Sequence, residues 1–208
     1  METIDYKGYK IKILVDECPS DPLGDSNLGR MICFHRRYNL GHKHDFKSQD
    51  FKSMEEVISA VIKEEGPIIY LKLYLYDHGG IVMNCSGYRG QDPQHFDTTD
   101  VGFIYVSRKK VRDEYGWKKI TTAREKQIAE YLKGDVEVYS SYISGQVYGY
   151  EIYRPGEEEA CDSCWGYYGY DNKASGLLAD AEHAVDSDIQ WRLKTEGIQE
   201  TLLQEVKS

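Results

Sequence analysis

Three of the six histidines, His35, His42 and His44, stand close together in the chain; Asp45 follows them, and Asp77 and His78 lie further on. Imidazole nitrogens with carboxylate oxygens form the donor set of many divalent-metal sites. His35, His42, His44, Asp77 and His78 are therefore the set a metal-dependent hydrolase would use. His42 and His44 share a face if their segment is extended. Against this, the pair follows a Gly in a Lys-rich stretch, and Asp77-His78-Gly79-Gly80 has the composition of a turn. Arg36 and Arg37 would point to opposite faces of a strand, and one could turn inward against Asp25 or Asp100. Such a pair serves an anion grip or a structural lock equally well. With Asn27 and His35, Arg37 makes a candidate ligand-binding set for a small anion or nucleotide. Cys161-x-x-Cys164 has the spacing of half a zinc knuckle, and Cys33, Cys85 or a His would have to complete it. No strand–helix context of thioredoxin type surrounds the pair, so two unpaired thiols are expected. The sequence holds no P-loop, G-x-G-x-x-G, H-E-x-x-H or G-x-S-x-G. No catalytic residue, resident metal or cofactor is expected, and enzyme activity is not the leading reading.

The elements that must position these residues are organised around Asp25–His42. Met31 to Tyr38 alternates like a strand, closed at its ends by Asn27-Leu28-Gly29 and Asn39-Leu40-Gly41, two phrases suited to tight corners. Before it, Tyr6–Val15 reads as a strand and Asp16–Gly24 as a loop; after it, His42–Lys52 reads as a loop. Ser53-Met-Glu-Glu56 is a capping box, and its helix stops at Gly66-Pro67. Ile68–Tyr76 and Ile81–Met83 form a hairpin about Asp77–Gly80. Cys85–Asp100 is a long polar loop, a kind often functional, and Val101–Val106 a strand. Ser107 caps a helix to Tyr115. Thr121 or Thr122 caps another, interrupted at Gly134 and resuming to Ile143. Gly145–Tyr153 is a Tyr-rich strand, Arg154–Glu159 an acidic turn, and Trp165–Tyr168 a short strand. Ser175 to about Val206 is a helix with a break at Gly197. The fold class expected is α+β, a mainly antiparallel sheet with flanking helices and a long C-terminal helix. Residues 1–172 would be a single domain and 173–208 a helical appendage.

Forty per cent of residues are hydrophobic, enough for a core, and 18 are Tyr against 5 Phe and 3 Trp. Tyr suits strands and contact surfaces alike. The net charge of −9 argues against direct nucleic-acid binding and leaves room for carboxylates offered to a basic partner. The amino terminus has no apolar run, and no stretch approaches the roughly 20 apolar residues of a membrane span. A cytoplasmic protein with reduced thiols and no membrane contact is expected.

The blocks Asp25-Ser-Asn-Leu-Gly-Arg-Met-Ile-Cys-Phe-His-Arg-Arg-Tyr-Asn-Leu-Gly, Leu-Tyr-Leu-Tyr-Asp-His-Gly-Gly, Asp100-Val-Gly-Phe-Ile-Tyr-Val, Val147-Tyr-Gly-Tyr and Cys164-Trp-Gly-Tyr-Tyr-Gly occur in that order. In these the chain resembles a family of small proteins encoded by bacteriophages and mobile elements, over roughly residues 20 to 185. It departs from the family at Asp97-Thr-Thr-Asp100, where a Ser-Gly-Gln-like phrase is usual. The resemblance implies an accessory factor of the host cytoplasm that inhibits a host defence system by binding a host protein, such as a defence nuclease or effector. Tyr148, Tyr150 and Tyr153 would supply the contact surface, since Tyr is enriched at interface hot spots. Glu157, Glu158 and Glu159, with Asp180–Asp188, would supply the charge. The alternative is a protein that sequesters a small anion or nucleotide at Asn27, His35 and Arg37, and the third reading is the hydrolase.

Overall fold

Lys7 and Gly8 both have positive φ, 50° and 83°, and they break the first alternating stretch into two strands. A two-residue turn of this kind matches the twist of a hairpin. The stretch read as one strand, Tyr6–Val15, is thus the end of β1 (Glu2–Tyr6), a turn, and β2 (Tyr9–Val15). The computed structural model describes residues 2–24, 27–88, 90, 92, 94 and 96–195. Its further elements are β3 (Arg30–Cys33), α1 (Met54–Glu65), β4 (Ile68–Asp77), β5 (Ile81–Asn84), β6 (Thr98–Ser107), α2 (Arg108–Tyr115), α3 (Thr122–Ile143), β7 (Val147–Tyr153), β8 (Ala160–Tyr168) and α4 (Leu177–Thr195). Every strand pairing is antiparallel, and the strands form two four-stranded sheets, so the fold is α+β.

Contacts divide the chain into two compact units. The middle unit is Asp21–Ser144; the terminal unit comprises the described residues of Met1–Ser20 and Gly145–Ser208. These boundaries differ from the one suggested at 172/173, because α4 shares a core with β2 and β7. Leu177, Ala181 and Val185, one helical stripe at i, i+4 and i+8, pack with Tyr9, Ile11, Ile13, Tyr150 and Ile152. Gly197 and the rest of the C-terminal helix reading lie outside the described residues, as does Asp25.

In the middle unit the strand order is β3-β6-β4-β5. Ile128, Leu132, Val136 and Tyr139 of α3 join Met31, Leu73, Leu75, Ile104 and Val106 in one core. Val57, Ile58 and Val61 of α1 join Ile32, Phe103 and Tyr105 in another. Adjacent residues of β6 thus enter different cores, which explains its unbroken apolar run. The caps stand as the sequence indicates: Ser53, Ser107 and Thr121 accept from the N–H of Glu56, Lys110 and Arg124.

Helix α3 runs through Gly134 without a break. Its buried stripe outweighs the poor helix propensity of one glycine. A Cβ at Gly134 would meet nothing within 4 Å. Gly134→Ala should therefore stabilise the protein by about 0.5–1 kcal/mol, raising Tm by a few degrees in a thermal melt. A lower Tm would mean that Gly134 serves a close approach. Among the described residues no helix is long and apolar enough to cross a membrane.

Candidate functional site

The stretch Met31–Tyr38 is a strand only as far as Cys33. The Phe34 N–H still donates to Val101 O at 2.7 Å, and then the chain leaves the sheet. His35 is the cause: its Nδ1 accepts the N–H groups of Arg37 and Tyr38, each at 3.3 Å. A side chain that takes two neighbouring backbone donors offers an alternative to the strand ladder. The His35 ring also stacks on Tyr38, centroids 4.9 Å apart. The chain returns at Gly41, which bridges Ile32 and has φ of +72°. Its N–H donates to the Tyr139 hydroxyl at 2.8 Å, while Leu40 is buried. The His42 N–H donates to Met31 O, and His42 Nδ1 accepts the Met31 N–H, both at 3.0 Å. Residues 34–41 are thus a loop fastened at both ends, carrying His35, Arg36, Arg37 and Asn39 outward.

Residues 34–40 of this loop, with Cys33, His42, Lys43, His44, Ser48 and Thr99, wall an open groove of about 1150 Å³. Arg37 forms an ion pair with Asp77, whose other oxygen stands 3.4 Å from the Tyr38 hydroxyl. Asp77 is therefore more than a turn residue: it fixes the loop from across the sheet. Of the partners suggested for the Arg pair, Asp100 is exposed on β6 and makes no ion pair among the described residues, and Asp25 lies outside the described residues. Arg36 and Lys43 are exposed and make no ion pair among the described residues. Burial pushes the Cys33 thiol up to about 12, away from the thiolate form that a nucleophile needs.

Beyond Asp77, the hairpin turn places His78 Nδ1 3.1 Å from Asp97 Oδ2. Asp97 is fixed in turn by Asp92, whose buried carboxylate accepts the N–H groups of Phe96, Asp97 and Thr98 at 3.1, 2.9 and 2.8 Å. Burial alone would raise the Asp92 pKa, but these bonds hold it below the usual carboxylate range. The backbone of Phe96–Thr98, at the entry to β6, is thus held by one charge.

The other candidate residues are placed as follows. Asn27 is not in the groove; its side chain donates to Pro22 O at 2.8 Å, as a turn lock. His44 Nε2 is 3.1 Å from Cys33 O. Among the described residues no three of His, Cys, Asp and Glu stand together as metal ligands, so His35, His42, His44, Asp77 and His78 do not converge. Cys161 packs against the terminal unit's core, and Cys164 is exposed. Tyr150 is buried under α4, which removes it from any contact surface. Tyr148 is half-buried, and Tyr153 lies under the Lys12 ammonium with its hydroxyl on Glu151. Glu157, Glu158 and Glu159 are exposed.

Sequence reasoning missed Lys43 as a wall of the groove, and with it the charge pattern. Of residues 30–47, five are Lys or Arg and one is Asp. The middle unit holds 18 basic and 18 acidic residues, so the entire net charge of −9 belongs to the terminal unit. A count of charges in windows along the chain would have found the basic segment. Comparison with protein-family models, with curated proteins and with solved structures finds no match in any of the three.

Proposed function

We propose that the protein is a binding protein whose middle unit holds a small anion or nucleotide in the groove of loop 34–41, acting by sequestering it. One observation carries this reading: the groove is cationic and already fixed. Arg36 and Lys43 are without ion-pair partners among the described residues, while Arg37 and His35 are spent on holding the loop in place. With Nδ1 of His35 accepting, Nε2 is the nitrogen that carries the proton of the neutral ring and can donate. A preformed loop binds without first losing conformational freedom. In the cytoplasm of a phage host, as the family resemblance implies, such a protein would withdraw an anionic defence signal.

A second reading, inhibition of a host protein, is favoured by the terminal unit. It carries the whole negative charge, with Glu157–Glu159 exposed, and leaves Trp165 and Tyr170 43% and 78% exposed. These residues, rather than Tyr150, would make the contact.

Thermal melts with inorganic phosphate and a panel of mononucleotides separate the two. A groove ligand at a hundredfold excess over Kd should stabilise the protein by about 2.7 kcal/mol. Arg36→Ala should weaken binding roughly tenfold, as loss of a charge-assisted contact does. If none of these anions moves Tm, the groove reading fails. Capture of a host protein by the wild type, lost on changing Trp165 and Glu157–Glu159 together, would then favour the second.

A further inference from the structure

We infer that the ligand of this groove is single-stranded nucleic acid, held as an oligonucleotide across two adjoining cavities rather than as one nucleotide. The inference rests on the groove reading above and extends it. A second cavity, of about 700 Å³, shares the walls Asn39, His42 and Lys43 with the groove. It adds Arg30 and Lys110, so cations continue from Arg36 through Lys43 to Arg30 and Lys110. Arg30 Nη2 donates to Lys43 O at 3.0 Å and Lys110 Nζ to Asn27 O at 2.8 Å. Both acceptors are uncharged carbonyls, so these contacts position the two cations without neutralising them. Two carboxylates bear on the same region. Asp21 is an exposed wall of the second cavity, and Asp135, which accepts from the Gly29 N–H at 3.3 Å, lies near Lys110. Burial raises the Asp135 pKa, and the Gly29 N–H and Lys110 favour its charged form.

Size points the same way. A site for one small ligand occupies about 300–1000 Å³; the groove alone exceeds that range, and the second cavity enlarges it. Cations distributed over two adjoining cavities suit several phosphates of one backbone better than a single phosphate group. Aromatic rings line both cavities: Tyr38 in the first, already stacked on His35 with the Arg37 guanidinium over it, and Tyr142 in the second; of the two, Tyr142 is the one offered to a base. The net charge of −9 does not oppose this, because the middle unit has none of it.

The test is fluorescence anisotropy with the full chain and a labelled ten-nucleotide oligothymidylate, with thymidine monophosphate as competitor and a ten-nucleotide oligouridylate as the RNA arm. The oligomers should bind at least tenfold more tightly than the monophosphate. Log K should fall with log salt at a slope of about −2 to −3, as for three or four phosphates on a single strand. Lys110→Gln should weaken the oligonucleotide tenfold and spare the monophosphate, whereas Arg36→Ala should weaken both. Arg30→Gln serves as the second variant should Lys110→Gln disturb the fold by circular dichroism. The DNA and RNA arms tell which sugar is preferred. An oligonucleotide that binds no better than the monophosphate overturns the inference and leaves the groove reading standing. So does a Lys110→Gln or Arg30→Gln effect equal on both ligands. If neither an oligomer nor any mononucleotide or phosphate binds, both fall.

Discussion

Gly102→Ala is expected to destabilise the protein by about 3–5 kcal/mol and to part β3 from the sheet that carries the groove. Gly102 lies on β6 opposite Cys33, with φ of +153°, where L side chains are rare. A Cβ there would lie 1.9 Å from Ile32 O, 2.9 Å from Ile32 C and 3.0 Å from Cys33 Cα. All three atoms are backbone of the paired strand, so no rotamer change relieves the overlap; β3 must move off β6. With four residues in β3, there is little other pairing to hold it. Its far end is Cys33, the root of loop 34–41, so anion binding should be lost along with stability. Typical domains have about 5–15 kcal/mol in hand, so part of the population should remain folded for measurement. Urea denaturation followed by circular dichroism gives the answer. A variant within about 1 kcal/mol of wild type would show that β3 and β6 separate at no great cost. Gly134→Ala is the matched control, the same substitution made in open space.

The contrast between these two glycines marks what can be read from a sequence. Propensity and capping are local: Ser53 acts within three residues, and so do Ser107 and Thr121, which is why those helix starts were legible. The Asp77–Gly80 hairpin was legible for the same reason. The stretch around His35 stands out in the sequence but reads there as strand to Tyr38, whereas β3 ends at Cys33. Its alternation runs on past Cys33, and no pattern of apolar residues says that an imidazole will take the N–H groups of Arg37 and Tyr38. In the sequence Asp77 reads as a turn residue because its partner, Arg37, is 40 positions away in the chain. The two-unit division was out of reach for a stronger form of the same reason: β2 pairs with β7, Lys10 opposite Tyr153, across the whole middle unit. Without that division the net charge reads as a property of the whole chain, and the basic segment is hidden inside it. Tyr150 shows the limit of periodicity. Alternation separates it from Tyr153, but only the position of α4 tells which of the two faces is buried.

Asp188→Asn should destabilise the terminal unit by about 2–3 kcal/mol at neutral pH, and by less at pH 3. Arg154 Nε and Nη2 donate to the two oxygens of Asp188 at 2.9 and 2.7 Å, and the Tyr9 hydroxyl donates to one of them at 2.8 Å. One carboxylate of α4 is thereby tied to Tyr9 of β2 and to Arg154, the residue after β7. The hydrogen bonds from Arg154, with that from Tyr9, hold the Asp188 carboxyl below the usual range against its partial burial. A carboxyl whose pKa falls on folding stabilises the fold fully above its unfolded value, about 3.9, and progressively less as pH drops through the folded value. The wild type should therefore lose stability below about pH 4 while the Asn variant, with no proton to take up there, changes less. The expected magnitude stays below that of a fully buried pair, because the Arg154 and Asp188 side chains are 24% and 18% exposed and water shares the site. Arg154→Lys should lie between the two, since an ammonium keeps the charge but not the two-pronged geometry. Urea midpoints at pH 7 and pH 3 decide the matter. A difference between wild type and Asp188→Asn that is equal at both values would assign the loss to packing of α4, and the charge would have no part in holding that helix to its sheet.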